Sequence, residues 1–261
     1  MMVQLTTQQA FERLLFRDAD GRYCARFADY RLQSVFQPLF YRSGSIFGYE
    51  ALLRVYDQQG RALRPDLFFH SLDTDDQIDA DRLSRVLHFR NFAQARVAGC
   101  LNLNLIPNTL LHDKGYGNNF ELMTRRCGEL GLETSQVILE VLEYEIEQSP
   151  LQLAGSLREA KSAGFGVALD DFGAVSSSQG RVKALCPDII KIDRSLLLDY
   201  MQGDSGRLQR VLEQGWQIGS RMLIEGVETA EQLAAMQGLG LELYQGFHLG
   251  MPAELRVEEL V

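Results

Sequence analysis

Short apolar runs alternate with longer amphipathic stretches from about residue 31 onward. Such alternation is typical of strand–helix units that build a parallel sheet. The stretch 81–97 keeps Leu83, Val86 and Leu87 on a helical stripe, and Gly164 is a stop signal for a helix over 151–164. The runs lie at 34–40, 45–55, 99–106, 136–142, 165–170, 188–193, 221–227 and 241–247. Eight strands with intervening helices predict an α/β fold of the TIM (β/α)8 barrel type.

The first two apolar runs depart from this regular pattern. The segment that joins them, YRSGS at 41–45, is too short for a helix, so the runs should pair antiparallel. We therefore expect a modified barrel whose first strand is antiparallel. Before it, residues 6–17 predict a helix with Thr6 or Thr7 as N-cap, and residues 18–30 a turn and connector. The predicted organisation is an N-terminal helix and connector at 1–30, and a barrel domain at 31–261.

Composition and charge narrow the functional classes. The 261 residues are 46% hydrophobic and 23% charged, which suits one folded barrel. A net charge of -9 argues against binding of a nucleic acid polymer or an anionic membrane. The four cysteines and four histidines are dispersed, so zinc is not expected. With no export signal and no apolar run near ~18 residues, we expect a soluble cytoplasmic protein without membrane insertion.

Polar residues recur where the apolar runs end. In a barrel, residues at the C-terminal ends of different strands meet at one face. Carboxylate and amide oxygens are the ligands that hard divalent cations prefer. The pattern therefore predicts an oxygen-rich metal site. Its members would be Glu50, Asn104, Glu140, Asp170, Asp171, Lys191, Asp193, Glu225 and Gln245.

Two features of this set need a physical explanation. Successive strand residues point to opposite faces, so Asp170 and Asp171 can share a site only if the strand has broken into the loop, as the following Phe-Gly would allow. Lys191 lies between two isoleucines, and a lysine that faces a barrel interior is costly unless it is paired. Asp193, two residues on, shares its face and could orient it.

Six ordered blocks now identify a family resemblance. They are FQP at 36–38, EALLR at 50–54, DDFG at 170–173, KID at 191–193, EGVET at 225–229, and QGF at 245–247 with the later Pro252. Together they resemble the EAL family of cyclic di-GMP phosphodiesterases over residues 33 to 253. The resemblance implies an enzyme that opens cyclic di-GMP to linear pGpG with two Mg²⁺ or Mn²⁺ ions, with Ca²⁺ inhibitory.

The resemblance also implies roles for particular residues. Glu50, Asn104, Glu140 and Asp170 would hold the first metal, and Asp170 would bridge to a second held by Asp171 and Glu225. Lys191, Glu225 and Asp193 would be the catalytic residues, and Glu225 could be a ligand, a base or both. Substrate would contact Gln37, Arg54, Gln245 and Glu228, and Glu143 would support the loop after DDFG.

The chain departs from the family pattern after DDFG. Residues 174–178 read AVSSS, where the family usually has a Thr/Ala-Gly-Tyr-Ser-Ser stretch that contributes to the second metal and to a homodimer. The alternatives to an active enzyme are a receptor that binds cyclic di-GMP without cutting it and a protein-interaction module without ligand. Because every expected ligand is present, the sequence favours the enzyme.

Overall fold

The structure is a computed structural model of the chain. It describes residues 7–106, 119–142, 150–173 and 185–256.

Eight strands form a barrel: β3 (Tyr30–Tyr41), β4 (Ile46–Tyr56), β6 (Cys100–Asn104), β7 (Val137–Leu142), β8 (Gly166–Phe172), β9 (Ile189–Ile192), β10 (Arg221–Ile224) and β11 (Leu243–Tyr244). They pair in the order β3-β11-β10-β9-β8-β7-β6-β4, and β4 pairs with β3 to close the barrel. Neighbouring strands from β4 through β11 run parallel, whereas β3 runs antiparallel to both of its neighbours, β4 and β11. This confirms the modified TIM barrel and its antiparallel first strand.

Helices cover the outside of the barrel. They are α1 (Gln8–Leu14), α2 (Pro65–His70), α3 (Thr74–Ala95), α4 (Asn119–Glu129), α5 (Pro150–Ser162), α6 (Arg194–Met201), α7 (Gly206–Ile218) and α8 (Ala230–Gly238), with a 3₁₀ turn at Thr134–Gln136. The predicted helices at 81–97 and 151–164 correspond to α3 and α5, and Gly164 ends the latter with a φ of +93°. Within the described ranges, no helix combines the length and the apolar character needed to cross a bilayer.

The N-terminal segment is part of the same sheet, which corrects the prediction of a connector at 18–30. Strand β1 (Leu15–Arg17) pairs antiparallel with β2 (Tyr23–Phe27), and β2 pairs with the start of β3. Thr7 caps α1 as predicted, but the helix ends at Leu14 because Leu15–Arg17 join the hairpin. Residues 18–21, with the sequence DADG, form the turn of this hairpin. In it the Asp18 carboxylate accepts hydrogen bonds from the backbone N–H groups of Asp20 and Arg22. Strand β5 (Ala62–Leu63) extends the sheet beyond β4.

Two layers fill the described interior of the barrel. The lower one, which we call the apolar plug, takes one residue from each barrel strand: Leu39, Phe47, Cys100, Ile138, Ala168, Ile189, Leu223 and Leu243. Strand residues two apart share a face, so on the parallel strands from β6 to β11 the next inward position lies two residues further along the chain. On five consecutive parallel strands, β7 to β11, this position holds Glu140, Asp170, Lys191, Glu225 and Gln245. The alternate, outward-facing residues of the strands pack against the helices in the main core.

Candidate metal and ligand site

A polar ring lies directly above the apolar plug, toward the C-terminal ends of the parallel strands. Six barrel strands contribute one residue each, and the first residue after β10 and after β11 completes the ring: Gln37, Glu50, Asn102, Glu140, Asp170, Lys191, Glu225 and Gln245. All are buried except Glu225, whose side chain is 20% exposed. A ring of charged and amide groups in a barrel interior is costly for the fold unless its members satisfy one another. Their mutual contacts therefore define the candidate site.

Lys191 lies at the centre of the ring. Its Nζ is 2.9 Å from Glu225 Oε1, 3.0 Å from both Glu140 Oε2 and Asp170 Oδ1, and 3.7 Å from Glu50 Oε2. Burial alone would lower the pKa of Lys191, but these carboxylates outweigh that effect and raise the pKa well above its usual value. The predicted pairing of this lysine is thus satisfied by four acids at once.

One ammonium does not balance the acids around it. Burial raises the pKa of Glu140 to about 8 and that of Glu225 well above its usual value, because Lys191 offsets only part of the desolvation. Burial also opposes ionisation of Glu50, but Lys191 and the amides of Gln245 and Asn104 bring its pKa below the usual range. With Asp170 and Asp171, five carboxylates face one lysine. The site therefore has the charge and the oxygen donors for further cations.

A β-bulge brings the two adjacent aspartates together. Strand β8 does not end at Asp170, as the sequence suggested; it continues to Phe172 with a register shift between Leu169 and Phe172. Within the shift Asp171 adopts a φ of +55°, in the left-handed region that Asp tolerates better than most residues. As a result, ligand oxygens of Asp170, Asp171 and Glu225 lie within 4.8 Å of one another. Burial and, to a smaller extent, repulsion from Asp170 raise the pKa of Asp171 to about 6.

Amides hold two of the acids in place. Asn104 Nδ2 donates to Glu50 Oε1 at 3.1 Å, and Gln245 Nε2 donates to Glu50 Oε2 at 2.7 Å. Asn102 Nδ2 donates to Glu140 Oε1 at 2.6 Å. The sequence reading missed Asn102, although its signal was available: it lies two residues before Asn104 and so shares its face of β6.

The residues predicted to contact substrate are spread more widely. Gln37 is buried opposite Glu50 and donates to the Gly250 carbonyl at 3.3 Å. Gln245 is bound to Glu50 rather than open to the mouth. Arg54 lies four residues beyond Glu50 on β4, and its guanidinium donates to the Leu53 carbonyl. Glu228 pairs with Arg194 on the rim. In this structure only Gln37 and Gln245 of this group belong to the ring.

The predicted link between Asp193 and Lys191 is not found, which is a correction. Asp193 lies just beyond β9, where its Oδ1 accepts from the backbone N–H and the hydroxyl of Ser195 and caps α6. Within the described ranges, Lys191 bonds to the acids of the ring and not to Asp193. Glu143 and the loop at 174–178 lie outside the described residues.

Known proteins share this sequence pattern and this fold. The model of the EAL domain matches residues 24–252. The cyclic di-GMP phosphodiesterase NbdA of Pseudomonas aeruginosa is 29% identical over 241 residues, which are 88% of this chain and 30% of NbdA. The probable cyclic di-GMP phosphodiesterase PdeA of Escherichia coli is 26% identical over 84% of this chain and 30% of its own length. This chain thus spans about a third of the length of those relatives.

Two solved structures show the likeness in three dimensions. The PaMucR phosphodiesterase in complex with c-di-GMP has a TM-score of 0.73 and 25% identity, covering 85% of this chain and 92% of that one. Klebsiella pneumoniae BlrP1 with manganese and cyclic di-GMP at pH 9.0 has a TM-score of 0.75 and 27% identity, covering 85% of this chain and 56% of that one. Because the EAL domain match covers more than half of its length, the chain belongs to the EAL domain family.

Proposed function

We propose that this barrel is a metal-dependent phosphodiesterase that hydrolyses cyclic di-GMP to linear pGpG. The observation that carries the proposal is the group of five buried or partly buried carboxylates around Lys191 at the C-terminal mouth of the barrel. Relatives with the same domain are named as cyclic di-GMP phosphodiesterases, and BlrP1 has been solved with manganese and cyclic di-GMP.

The donor set fits two hard divalent cations, Mg²⁺ or Mn²⁺. We infer that Glu50, Asn104, Glu140 and Asp170 hold one, and that Asp170, Asp171 and Glu225 hold the other. The first group is supported by Glu50, Glu140 and Asp170, whose carboxylates all pair with Lys191. The second is supported by the ligand oxygens of its three acids, which lie within 4.8 Å of one another. When bound, such ions lower the pKa of a water and stabilise the charge on a departing oxygen.

The chain's own residues supply the rest of the chemistry. A water adds to one phosphorus, and the bond from that phosphorus to a ribose 3′ oxygen breaks, which gives a 5′ phosphate and a 3′ hydroxyl. Glu225 lies at the mouth beside Lys191 and takes up the proton of the attacking water at its carboxylate. The departing 3′ oxygen takes its proton from a solvent water at the mouth. Lys191 keeps its positive charge in this site and offsets the negative charge that grows on the phosphate oxygens.

Substrate contacts are proposed for residues around the mouth. Arg54 has a guanidinium suited to a phosphate, and its hydrogen bond from Nη1 to the Leu53 carbonyl leaves further N–H donors for such a ligand. Gln37 and Glu228 would contact the nucleotide from the two sides of the mouth. Gln245 we assign first to Glu50, to which it is bonded. The homodimer and the cytoplasmic location stay predictions.

The direct test is to incubate the purified chain with cyclic di-GMP in ¹⁸O-labelled water and identify the product by mass spectrometry. Mg²⁺ or Mn²⁺ should give pGpG with one ¹⁸O on its 5′ phosphate. EDTA should abolish the reaction, and Ca²⁺, with its longer and looser coordination, should not support it. Tight binding without cleavage in Mn²⁺ would instead identify a receptor. The absence of both binding and cleavage would favour an interaction module.

A further inference from the structure

The ring residue of β6 is an asparagine that the proposed function does not use. Asn102 has no exposed surface, lies beside Glu50 in the β4–β6 register, and sits one layer below Asn104. Its Nδ2 is 2.6 Å from Glu140 Oε1. A metal-binding Glu140 is ionised, and both of its oxygens then only accept. In that state the amide N–H must face Oε1, because the opposite orientation would set two acceptor oxygens at that distance.

Packing alone does not explain an amide at this position. Asn102 Oδ1 is buried and has no hydrogen-bond partner in the described part of the chain. An amide with one unsatisfied end inside a barrel is destabilising, whereas an apolar residue of similar volume is not. The layer below consists of such apolar residues. The benefit of Asn102 must therefore come from its single contact with Glu140.

That contact divides the two oxygens of Glu140 between two tasks. Oε1 is bonded to Asn102, and Oε2 is the oxygen 3.0 Å from Lys191 at the centre of the ring. Glu140 is 1% exposed, so no solvent competes for either oxygen. If the amide were absent, the carboxylate could rotate about its last torsion, and Oε1 would turn toward the other acids in search of a partner.

We propose that Asn102 is a positioning residue that restricts Glu140 to presenting one oxygen, Oε2, to a divalent cation. The inference rests on the proposed metal function, because Asn102 acts only through Glu140 and does not itself reach the cation. Partners of this kind orient metal ligands, and their loss typically weakens metal binding about 10–100-fold.

The test measures Mn²⁺ binding without substrate, by calorimetry, in Asn102→Leu and in a matched control, Asn91→Leu. Asn91 is also a buried asparagine, but both ends of its amide are bonded to the backbone of Tyr23, outside the barrel interior. We expect Mn²⁺ affinity to fall about 10–100-fold in Asn102→Leu and to stay unchanged in Asn91→Leu. The thermal stabilisation by Mn²⁺ should shrink in the first variant alone. In turnover at saturating Mn²⁺, KM for cyclic di-GMP should stay near wild type.

A second variant distinguishes loss of the hydrogen-bond donor from misfolding of the barrel. Asn102→Asp keeps the shape of the side chain but replaces the donor by a carboxylate next to Glu140 Oε1, so it too should bind Mn²⁺ more weakly. Wild-type affinity in either Asn102 variant, or tighter binding in Asn102→Asp, would overturn the inference while leaving the proposed function intact. If the wild-type protein bound no Mn²⁺, the proposed function itself would fail.

Discussion

At the scale of single residues, Asp171 shows how backbone and charge combine at this site. Its φ of +55° is accessible to Asp and Asn but costs other L-residues about 1–2 kcal/mol. Its raised folded pKa, about 6 against an ordinary 3.8, means that ionisation destabilises the metal-free fold: stability is lost as pH rises from about 4 to 6.

We therefore expect Asp171→Asn to be more stable than wild type in EDTA at pH 7.5, and to lose most of that advantage at pH 4. Asp171→Ala should be about 1 kcal/mol less stable than Asp171→Asn, because alanine resists the left-handed conformation. Urea unfolding at both pH values measures these differences. Equal stability of the alanine and asparagine variants would refute the argument from backbone conformation.

Lys191 is the second residue whose replacement is informative. Asp170, Glu140, Glu225 and Glu50 raise its pKa well above the ordinary 10.5, so its charge stabilises the fold throughout the neutral range. Lys191→Met should lower kcat at least about 10²-fold, the usual cost of removing one group that stabilises transition-state charge. In EDTA its loss of stability should be larger at pH 8 than at pH 5.5, because the unpaired acids can take up protons only at the lower pH.

A matched control for this change is Lys161→Met. Lys161 is a partly exposed lysine that pairs with Asp188 at 2.8 Å on the outside of the barrel. A surface pair contributes about 0–1 kcal/mol, so this variant should keep its activity and show little change in stability at either pH. Similar kinetic losses in both variants would mean that the central position of Lys191 is unimportant.

At the scale of elements, close backbone contacts fix the ends of the strands that bear the ring. A Cβ at Gly246 would lie 2.1 Å from the Val227 carbonyl oxygen and 2.3 Å from its nitrogen. This close approach accompanies the hydrogen bond from Val227 N–H to the Gln245 carbonyl, 3.0 Å long, and so fixes Gln245 beside Glu50.

Gly246→Ala should therefore destabilise the protein by about 1–3 kcal/mol and weaken metal binding, because the two segments must separate. Gly155→Ala is the matched control: it lies within α5, a Cβ there meets nothing within 4 Å, and the change should stabilise by about 0.5–1 kcal/mol. Chemical denaturation of both variants measures the contrast. A neutral Gly246→Ala would contradict the close approach.

The packing of α3 on β3 includes a buried histidine. His88 is 5% exposed, its Nδ1 lies 2.8 Å from Ser34 Oγ, and burial lowers its pKa to about 3. The folded pKa is below the unfolded one, so the unfolded chain takes up a proton first as pH falls. This contribution to stability is complete above about pH 6.5 and declines toward pH 3.

Between pH 7.5 and 5.5, wild type should lose about 1.4 kcal/mol relative to His88→Gln, which cannot titrate. The measurement is the difference in unfolding free energy between the two proteins at each pH. His70→Gln, a change at an exposed histidine on α2, should show no such dependence. A difference between wild type and His88→Gln that stays constant with pH would show that His88 is not buried in its neutral form.

At the scale of the whole molecule, the sequence predicted the barrel because its period is regular. Each strand from β6 to β11 carries an apolar plug residue, and a polar ring residue follows it two positions later, as in Ile189 and Lys191 or Leu223 and Glu225. The ring residues therefore stand where the apolar runs end, and it was this position at the ends of the runs that predicted the acids. The N-terminal hairpin escaped prediction because its strands are short and Leu15–Arg17 fit a helical stripe equally well.

Side-chain partners were harder to predict than positions. The left-handed Asp171 depends on a register shift between β8 and β9, which no local pattern encodes. Asp193 was expected to contact Lys191, because residues two apart share a strand face. Strand β9 ends before Asp193, however, and the Asp193 carboxylate caps α6 instead. Asn102 was not predicted as a site residue, although its spacing of two residues from Asn104 places both on one face of β6. Each failure concerns a contact between strands or at a strand end.

The central claim, that the acids of the polar ring bind metal for cleavage of cyclic di-GMP, is tested most directly by single-turnover kinetics. Excess enzyme with Mn²⁺ is mixed with cyclic di-GMP, and wild type is compared with Glu50→Ala. The control is Glu242→Ala, a change at an exposed residue that directly precedes β11, at the end of that strand away from the ring. We predict Mn²⁺-dependent formation of pGpG by wild type and Glu242→Ala, and a rate at least about 10²-fold lower in Glu50→Ala. Full binding of cyclic di-GMP without cleavage by wild type, or an undiminished rate in Glu50→Ala, would contradict the claim.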